Sequence, residues 1–366
     1  NGPTLIVVVF ALGAWISGII TYKAFEIASQ RGEHKVSIIT PGINKGEIFK
    51  ALKKLAPHFK STVLIGYPPF IKDVVDEAAL LGINLKKLSL RLIFAAEAFN
   101  ENFRDYLIKK AGIKDKFLDT MNIYGSADIG AMAAETPFSI FMRNVALKNK
   151  DLFNELFSDI NKVPTLAQFN PLFINFESVN KEIILTGNNT VPLIRYAIGD
   201  HGGVFSFDEA VSIFKKHGIN IQEEFKKSGI AKNSILHMPF LYVYERKDFS
   251  TKLYGAIIYP EHIREALQNP TLRKLTGKFS VATKYDAKNN QFMEINCELK
   301  KDEKSSDSLT NKIKQLVIKK LLDKNAEYAN NFKSIPKKVE PHIVLWPYEH
   351  NDHFKPGTKQ KWVGVI

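Results

Sequence analysis

Residues 192–200 read PLIRYAIGD, a string that ends on a short carboxylate directly after a glycine. An aspartate in that position can accept hydrogen bonds from two neighbouring hydroxyl groups. Glycine and aspartate are also common turn formers, so a plain turn at Gly199 and Asp200 is the alternative interpretation. Two more short strings flank this one in the chain: YGSAD at 124–128 and ERKDF at 245–249.

The composition is that of a folded, basic protein. Of its 366 residues, 45% are hydrophobic, which is enough for a substantial core in two or three domains. Lys and Arg outnumber Asp and Glu by 51 to 38, and the formal charge of +13 favours polyanionic partners such as nucleic acid, acidic lipid or nucleotide phosphates. A single cysteine, Cys297, excludes an internal disulfide framework and a multi-cysteine zinc site, so we expect a cytoplasmic protein.

Residues 5–20 form an uncharged run, LIVVVFALGAWISGII. About 20 residues are needed to cross the hydrocarbon core of a bilayer, so the run is slightly short. It contains Gly13 and Gly18, and it lacks the basic start of a secretory signal. We interpret it as a buried strand followed by a helix rather than as a membrane anchor.

The remaining pattern predicts an α/β protein with two domains. Short apolar runs alternate with helical patterns over 35–92, which indicates βαβ units around a mostly parallel sheet. A β-rich subdomain is predicted at about 165–245, because short strands and turn residues dominate there. After Asp248 a helix, a hairpin, an amphipathic helix and a strand predict a small α+β domain. The predicted boundaries are 1–247 for the large domain and 248–366 for the small one.

The three strings together resemble the nucleotide-binding and hinge motifs of the adenylate-forming (acyl-CoA synthetase) superfamily, and most closely its phenylacetate-CoA-ligase-like branch. The resemblance spans nearly the whole chain from about Trp15 onward, and it implies layered mixed sheets and helices in a large AMP-binding domain, followed by a small mobile domain. The superfamily also has a Ser/Thr/Gly-rich loop that wraps the β- and γ-phosphates of ATP. Nothing in the 366 residues matches this loop. We therefore expect a large domain truncated at its N-terminus, which handles ATP poorly by itself.

The resemblance implies a nucleotide site formed by residues far apart in the sequence. In the superfamily, the ring at the position of Tyr124 packs on adenine, and small residues at the positions of Gly125 and Ser126 admit the α-phosphate. The carboxylate at the position of Asp200 binds both ribose hydroxyls, and Arg195 of the same string belongs to this nucleotide-binding set.

Two of the matching motifs are altered in this chain. The superfamily's threonine-glutamate pair, which supplies a magnesium ligand, is Ala127-Asp128 here, so the shorter carboxylate moves the metal or adds a water. The string FAAEA at 94–98 resembles a glycine-glycine-glutamate turn that lies against the adenine, and its matching residues are Ala96 and Glu97. Capping of the following helix by Glu97 is an equal alternative.

Two further motifs concern domain movement. Asp248 matches the pivot about which the small domain of the superfamily rotates between half-reactions. Near the C-terminus, residues 355–362 read KPGTKQKW and resemble the superfamily's terminal glycine-lysine motif. We assign Lys359 as the catalytic lysine that reaches the charge developing between the carboxylate and the α-phosphate, with Lys355 and Lys361 as alternatives.

The resemblance places three aromatic residues of this chain at positions that line the acid-binding pocket of the superfamily. Trp15, Tyr67 and Phe70 would give an apolar lining suited to an aryl or medium-sized apolar acid. The same residues are equally ordinary core material.

The resemblance implies an acid-thiol ligase that works in two steps. ATP and a carboxylic acid give an acyl-adenylate and pyrophosphate, and the CoA thiol then displaces AMP. The expected cofactors are ATP/AMP, Mg²⁺ and CoA, and we expect no nucleic-acid or membrane partner, with the oligomeric state open and a homodimer as one option. Two alternatives remain: an enzyme that transfers to an amine or a carrier-protein thiol, and an inactive homologue that binds polyanions through its lysine-rich helix at 311–323.

Overall fold

The structure is a computed structural model of the chain. The residues that it describes are 2–10, 12, 16–32, 34–96, 98–157, 163–188, 191–230, 234–244, 250–254, 256–286, 291–356 and 362–363. The chain divides into two compact units, Asn1–Arg246 and Lys247–Ile366.

The first unit begins with strands and crossover helices in alternation. These elements are β1 (Thr4–Val8), α1 (Ile16–Gln30), β2 (Val36–Ile39), α2 (Lys45–Lys54), β3 (Ser61–Gly66), α3 (Pro68–Leu80), β4 (Leu90–Ala95), α4 (Glu101–Ala111) and β5 (Thr120–Ser126), with 3-10 turns at Ala56–His58 and Leu85–Leu88. The five strands pair in parallel in the order β2-β1-β3-β4-β5. Parallel neighbours require a crossover, which the four helices supply. The prediction of βαβ units is confirmed.

The uncharged run at 5–20 forms strand β1 and the start of helix α1. Leu5 to Phe10 are buried, and the helix begins at Ile16. The prediction of a buried strand followed by a helix is confirmed. Within the described parts of the chain, no helix is both long and apolar enough to cross a bilayer.

The second half of the first unit is antiparallel. Its elements are β6 (Gly130–Ala134), α5 (Pro137–Ala146), α6 (Lys150–Leu156), β7 (Thr165–Gln168), β8 (Ile174–Val179), β9 (Glu182–Gly187), β10 (Leu193–Phe205), α7 (Phe207–Lys216), α8 (Ile221–Lys227) and β11 (Phe240–Tyr244). Their strands extend the parallel half into one sheet of eleven strands, β2-β1-β3-β4-β5-β6-β7-β11-β10-β9-β8. The predicted β-rich region is therefore continuous with the parallel half, and it also carries α7 and α8.

The antiparallel half of the sheet is strongly curved. Strands β6 and β7 share a single paired position, Ala134 opposite Gln168, so the sheet can turn sharply there. As a result, the ring of Tyr124 on β5 lies 6.4 Å from that of Phe176 on β8, the far edge strand. A separate apolar core forms inside this curve. The curvature brings the end of the parallel half and the far edge of the sheet together.

Capping residues define the ends of the helices near these strands. Asn100 caps α4, because its side chain accepts a hydrogen bond of 2.9 Å from the backbone N–H of Phe103. Gly112 ends α4 in the left-handed conformation that glycine favours, with φ of 70°. Thr136 begins α5 by accepting a hydrogen bond of 3.1 Å from the N–H of Ser139.

The second unit is a small α+β assembly, as the sequence predicts. Its elements are β12 (Thr251–Leu253), β13 (Ala256–Ile258), α9 (Pro260–Leu267), β14 (Leu275–Tyr285), β15 (Gln291–Leu299), α10 (Asp307–Lys324), α11 (Ala326–Ser334), α12 (Pro336–Val339) and β16 (His342–Trp346). The three longer strands form the sheet β14-β15-β16, and the buried face of α10 carries Ile313, Val317 and Leu321. Cys297 on β15 is fully buried, and burial raises the pKa of its thiol well above the usual range.

Four charged side chains are buried together beside β5. We call Glu101, Arg104, Glu135 and Arg143 the buried charge cluster. The Nη2 of Arg104 lies 2.9 and 2.7 Å from the two carboxylate oxygens of Glu135, and the Nη2 of Arg143 lies 2.9 Å from Oε1 of the same group. Arg143 also donates to Glu101, while Arg104 Nε lies 3.2 Å from that carboxylate. The cluster thereby joins α4, α5 and the end of β6.

The cluster also holds strand β5. Asn122 donates its backbone N–H to Oε2 of Glu135 at 2.9 Å, and its carbonyl accepts the N–H of Glu135 at 2.8 Å. Burial raises the pKa of Glu101, but the positive charges of Arg104, Arg143 and Lys116 outweigh it and hold this pKa well below its usual range. Glu101 is therefore ionised at neutral pH.

The depressed pKa of Glu101 gives a testable pH dependence of stability. Its stabilising contribution is fully present above the pKa of a glutamate in the unfolded chain, about 4.3, and is lost as the pH falls from there towards the lower folded pKa. Glu101→Gln should lower the free energy of unfolding at pH 7 by about 3–5 kcal/mol, because it leaves buried positive charge unpaired. The difference from the wild type, measured by urea denaturation, should shrink below about pH 4.

Glu223→Gln is the matched control for this measurement. Glu223 pairs with Lys226 at 3.0 Å on an exposed helix face, where their side chains are 49% and 44% exposed. An exposed pair contributes less than about 1 kcal/mol, so this change should leave stability nearly unaltered at both pH values. Equal effects of the two substitutions would contradict a special role for the buried cluster.

Candidate functional site

Two of the predicted nucleotide-binding residues meet in the structure. The hydroxyl of Tyr124, near the end of β5, donates a hydrogen bond of 2.6 Å to Oδ2 of Asp200 on β10. The two residues are 76 positions apart in the sequence, and three strands lie between β5 and β10 in the sheet. Both side chains are half-buried. They form the centre of the candidate site.

Strand β10 is irregular just before Asp200. Its pairing with β9 shifts register between Ala197 and His201. Gly199 lies inside this irregular stretch with φ of 81°, a conformation that costs little only for glycine. No neighbouring atom would contact a Cβ at this glycine, so the backbone conformation alone explains the residue. The glycine before Asp200 is therefore a conformational requirement of the strand.

Tyr124 is followed by a tight β-hairpin between β5 and β6. Gly125 pairs with Ala131, and a Cβ at Gly125 would lie 2.4 Å from the carbonyl oxygen of Gly130. This close approach of two backbones requires glycine at 125 whether or not a phosphate binds there. Ser126 Oγ lies 4.0 Å from the sulfur of Met132.

Asp128 lies in the exposed turn of the hairpin between β5 and β6. A magnesium ion that accompanies a nucleotide needs one or two carboxylates, and phosphate and water oxygens supply its other ligands. One exposed aspartate fits that requirement. No group of three or more His, Cys, Asp or Glu is arranged to hold a metal among the described residues. The magnesium role of Asp128 remains a prediction.

Arg195 of the central string is placed differently from Asp200. Its side chain is 63% exposed, and its Nη2 lies 3.1 Å from Oε2 of Glu177 on β8. Its backbone is left-handed, with φ of 47°, and its N–H donates to Thr186 Oγ1 at 3.0 Å. The structure thus gives Arg195 a partner on β8, and its role in nucleotide binding remains a prediction.

The turn after β4 contains a strained alanine. Ala96 has a φ of 72°, although it carries a Cβ, and it occupies a position where the resemblance places glycine. Its neighbour Glu97 lies outside the described residues. Because Asn100 caps α4, the capping role that was the alternative for Glu97 is taken by another residue. The adenine contact of Ala96 and Glu97 remains a prediction.

Two of the three predicted pocket residues lie in the core of the parallel half. Tyr67 and Phe70 are buried, and the ring of Tyr67 lies 5.0 Å from that of Phe10, edge to face. The ammonium of Lys45 lies 5.8 Å above the ring of Phe70. These contacts fit the core interpretation, and the pocket role of both residues remains a prediction. Trp15 lies outside the described residues.

A cavity of about 490 Å³ lies beside the hairpin that follows Tyr124, and no sequence pattern predicted it. Its lining comes from the hairpin, from β8 and β9, and from the exposed turn before β8. The lining residues are Ile129, Ala131, Met132, Asn170, Leu172, Phe173, Ile174, Gly187 and Asn188. Leu172 and Phe173 are 87% and 76% exposed, so one wall of the cavity is open and apolar.

Solved structures that match this arrangement of strands and helices include CoA ligases. The chain matches 2-hydroxyisobutyryl-CoA ligase in the postadenylation state with R3-HIB-AMP, with a TM-score of 0.63 and 14% identity over 99% of this chain. It also matches the anthranilate CoA ligase AuaEII with anthranoyl-AMP, with a TM-score of 0.54 and 13% identity over 94% of this chain. The chain has the fold of these ligases.

The CoA-ligase fold confirms the predicted fold class, a large α/β unit followed by a small α+β unit. The ATP-bound RpMatB-BxBclM chimera B1 also matches, with a TM-score of 0.52 and 12% identity over 93% of the chain. The chain spans 65% of the length of the 2-hydroxyisobutyryl-CoA ligase and 56% of the other two structures. No protein-family model and no curated protein matches the sequence.

The predicted hinge and lysine motifs fall mostly outside the described residues: Asp248, Lys359 and Lys361 are not among them. Lys355 is described and exposed. The contacts made by the last residue of this string, Trp362, could not be predicted from the sequence. The guanidinium carbon of Arg264 lies 3.4 Å from the centre of the Trp362 ring, and the carbonyl of Trp362 accepts the N–H of Val281 at 2.6 Å. The last residue of the string is therefore fixed to α9 and β14.

The strained turn gives a second prediction. A left-handed φ costs a non-glycine residue about 1–2 kcal/mol in the folded state, and glycine relieves this strain. Glycine also makes the unfolded chain more flexible, which offsets about 0.4–1 kcal/mol of the stabilisation. Ala96→Gly should therefore stabilise the protein by about 0.5–1 kcal/mol, measured by urea denaturation. Ala95→Gly, one residue earlier in β4, is the control and should destabilise by about 0.5–1 kcal/mol. Destabilisation by both changes would contradict strain at Ala96.

Proposed function

We propose that this chain is an adenylate-forming acid-thiol ligase of the phenylacetate-CoA-ligase-like branch. It activates a carboxylic acid with ATP and transfers the acyl group to CoA. The hydrogen bond between Tyr124 and Asp200 carries this proposal, because it joins two of the motifs on distant strands of a CoA-ligase fold.

The first half-reaction is attack of a substrate carboxylate oxygen on the α-phosphorus of ATP. The new P–O bond forms as the bond to pyrophosphate breaks, and the product is an acyl-adenylate. Tyr124 and Asp200 bind the adenosine, small residues at Gly125 and Ser126 admit the α-phosphate, and Arg195 belongs to the same nucleotide-binding set. Lys359 stabilises the charge that develops between carboxylate and phosphate.

Three further groups complete the proposed nucleotide site. Ala96 and Glu97 lie against the adenine. Asp128 would hold Mg²⁺, which neutralises phosphate charge when bound. The excess of basic residues, which gives a formal charge of +13, supports binding of polyanions such as ATP and CoA.

In the second half-reaction the CoA thiol attacks the acyl carbonyl, and AMP leaves with the electrons of the broken C–O bond. The small domain, 248–366, turns about Asp248 between the two steps. The division of the chain into compact units at Arg246 and Lys247 supports a boundary at that place. Trp15, Tyr67 and Phe70 line the acid pocket and favour an apolar acid. We place the enzyme in the cytoplasm.

Polyanion binding through α10 is less well supported. The ammonium of Lys320 lies 3.1 Å from Glu265, and that of Lys314 lies 3.6 Å from Glu340. Lys312 donates to the carbonyl of Thr271 at 3.4 Å. These contacts lie within the second unit, which favours a solvated helix face over a nucleic-acid or membrane surface.

Binding of AMP tests the proposed adenosine site. Asp200→Asn should weaken AMP binding about tenfold to a hundredfold, because it removes the charge that accepts both ribose hydroxyls. Isothermal titration calorimetry measures this directly. Asp323→Asn, on an exposed face of α10 with 62% of its aspartate side chain exposed, is the matched control and should leave AMP affinity unchanged. Unchanged affinity of a folded Asp200→Asn protein would exclude the proposed site.

The two half-reactions separate the candidate lysines. Lys359→Ala should lower acid-dependent ATP–pyrophosphate exchange about a hundredfold or more, because the charge on the transferring group loses its counter-charge. Thioester formation from supplied acyl-adenylate and CoA should stay within about twofold, since Lys359 acts only in the first step. Lys355→Ala and Lys361→Ala are the comparison variants and should affect neither step. An equal loss in both half-reactions would contradict the assignment.

A further inference from the structure

The contact between Tyr124 and Asp200 has the geometry of a strong hydrogen bond. Its O···O distance of 2.6 Å lies in the range that a hydroxyl adopts when it donates to a carboxylate. Such charge-assisted bonds are about twice as strong as neutral ones. Tyr124 therefore makes contacts through its hydroxyl oxygen as well as through its ring.

The backbone near Tyr124 is held by the buried charge cluster. Tyr124 lies two residues after Asn122, whose backbone is held to Glu135 by hydrogen bonds of 2.9 and 2.8 Å. One side of its ring packs near Phe176, and the tight hairpin at Gly125 follows it. The hydroxyl oxygen is therefore placed by a rigid part of the sheet.

Asp200 comes from a less regular backbone. It follows Gly199, whose φ is 81°, and a register shift against β9. The hydrogen bond from Tyr124 constrains the orientation of the Asp200 carboxylate. Since a carboxylate offers about four acceptor positions, a donor at one of them sets the plane in which the others point.

We propose that Tyr124 is a positioning residue for ribose recognition: its hydroxyl orients the carboxylate of Asp200 towards the two ribose hydroxyls of an adenosine phosphate. This inference rests on the proposed function and deepens it. The same residue then serves two parts of the ligand, with its ring on the adenine and its oxygen acting on the ribose through Asp200. The consequence is selectivity for ribonucleotides over dideoxynucleotides.

Tyr124→Phe separates these two roles, because it keeps the ring and removes only the oxygen. We expect the variant to bind AMP about three- to tenfold more weakly, as the ribose hydroxyls lose a well-oriented acceptor. Binding of 2′,3′-dideoxy-AMP, which lacks those hydroxyls, should be unchanged. In an Asp200→Ala background, Tyr124→Phe should have no further effect on AMP binding, because the group through which it acts is gone.

Tyr328→Phe is the matched control. Tyr328 is a buried tyrosine of the second unit, and its hydroxyl donates to the carbonyl of Val339 at 3.0 Å. Removing this hydroxyl lowers stability by the loss of a buried hydrogen bond, but it should change the affinity for neither nucleotide. Thermal unfolding of each variant measures the structural effect separately from binding.

The outcomes distinguish the inference from the proposed function. If Tyr124→Phe weakens AMP and dideoxy-AMP equally, or weakens neither, the positioning role is wrong while the adenosine site stands. If the wild type binds no AMP, or binds AMP and dideoxy-AMP equally well, the proposed ribose contact of Asp200 fails and the inference fails with it. Selective loss of AMP affinity that depends on Asp200 supports both.

Discussion

The desolvation of two guanidinium groups and two carboxylates beside β5 dominates the packing of the first unit around that strand. Burying charge is costly unless every member is paired, and breaking such a set costs about 3–5 kcal/mol. In the buried charge cluster, Glu135 accepts hydrogen bonds from both arginines and from the backbone of β5. Helices α4 and α5 are thereby tied to the strand where the parallel half of the sheet ends.

The curvature of the sheet brings the candidate site residues together beside the strand that the buried charge cluster holds. Strands β5 and β10 are not neighbours, yet Tyr124 and Asp200 meet because the sheet bends where β6 and β7 share one pair. The same bend brings the hairpin turn towards β9: a Cβ at Gly187 would lie 3.1 Å from Ile129. A flat sheet with the same strand order would keep all of these residues apart. The site is therefore a product of long-range shape, set by packing inside the curve.

Local patterns in the sequence predict much of the fold, because they reflect local physics. The alternation of apolar runs and helical periodicity predicts the βαβ units, and the helix predicted after Asp248 is α9, Pro260–Leu267. The curvature left no comparable signal, since it depends on contacts between strands far apart in the chain. Arg104 and Arg143 look like ordinary helix-surface residues in the sequence, and only the fold shows that they are buried. The site residues were found through resemblance, which predicts that Tyr124 and Asp200 share a ligand but does not predict their hydrogen bond.

The single cysteine has a practical consequence. Because Cys297 is fully buried and its thiol is held protonated, maleimides and similar reagents should leave the protein unlabelled. A thiol introduced at an exposed position, for example by Leu172→Cys at the open wall of the cavity, would then be the one reactive sulfur in the chain. A fluorophore attached there would report on occupancy of the cavity without any need to remove native cysteines first.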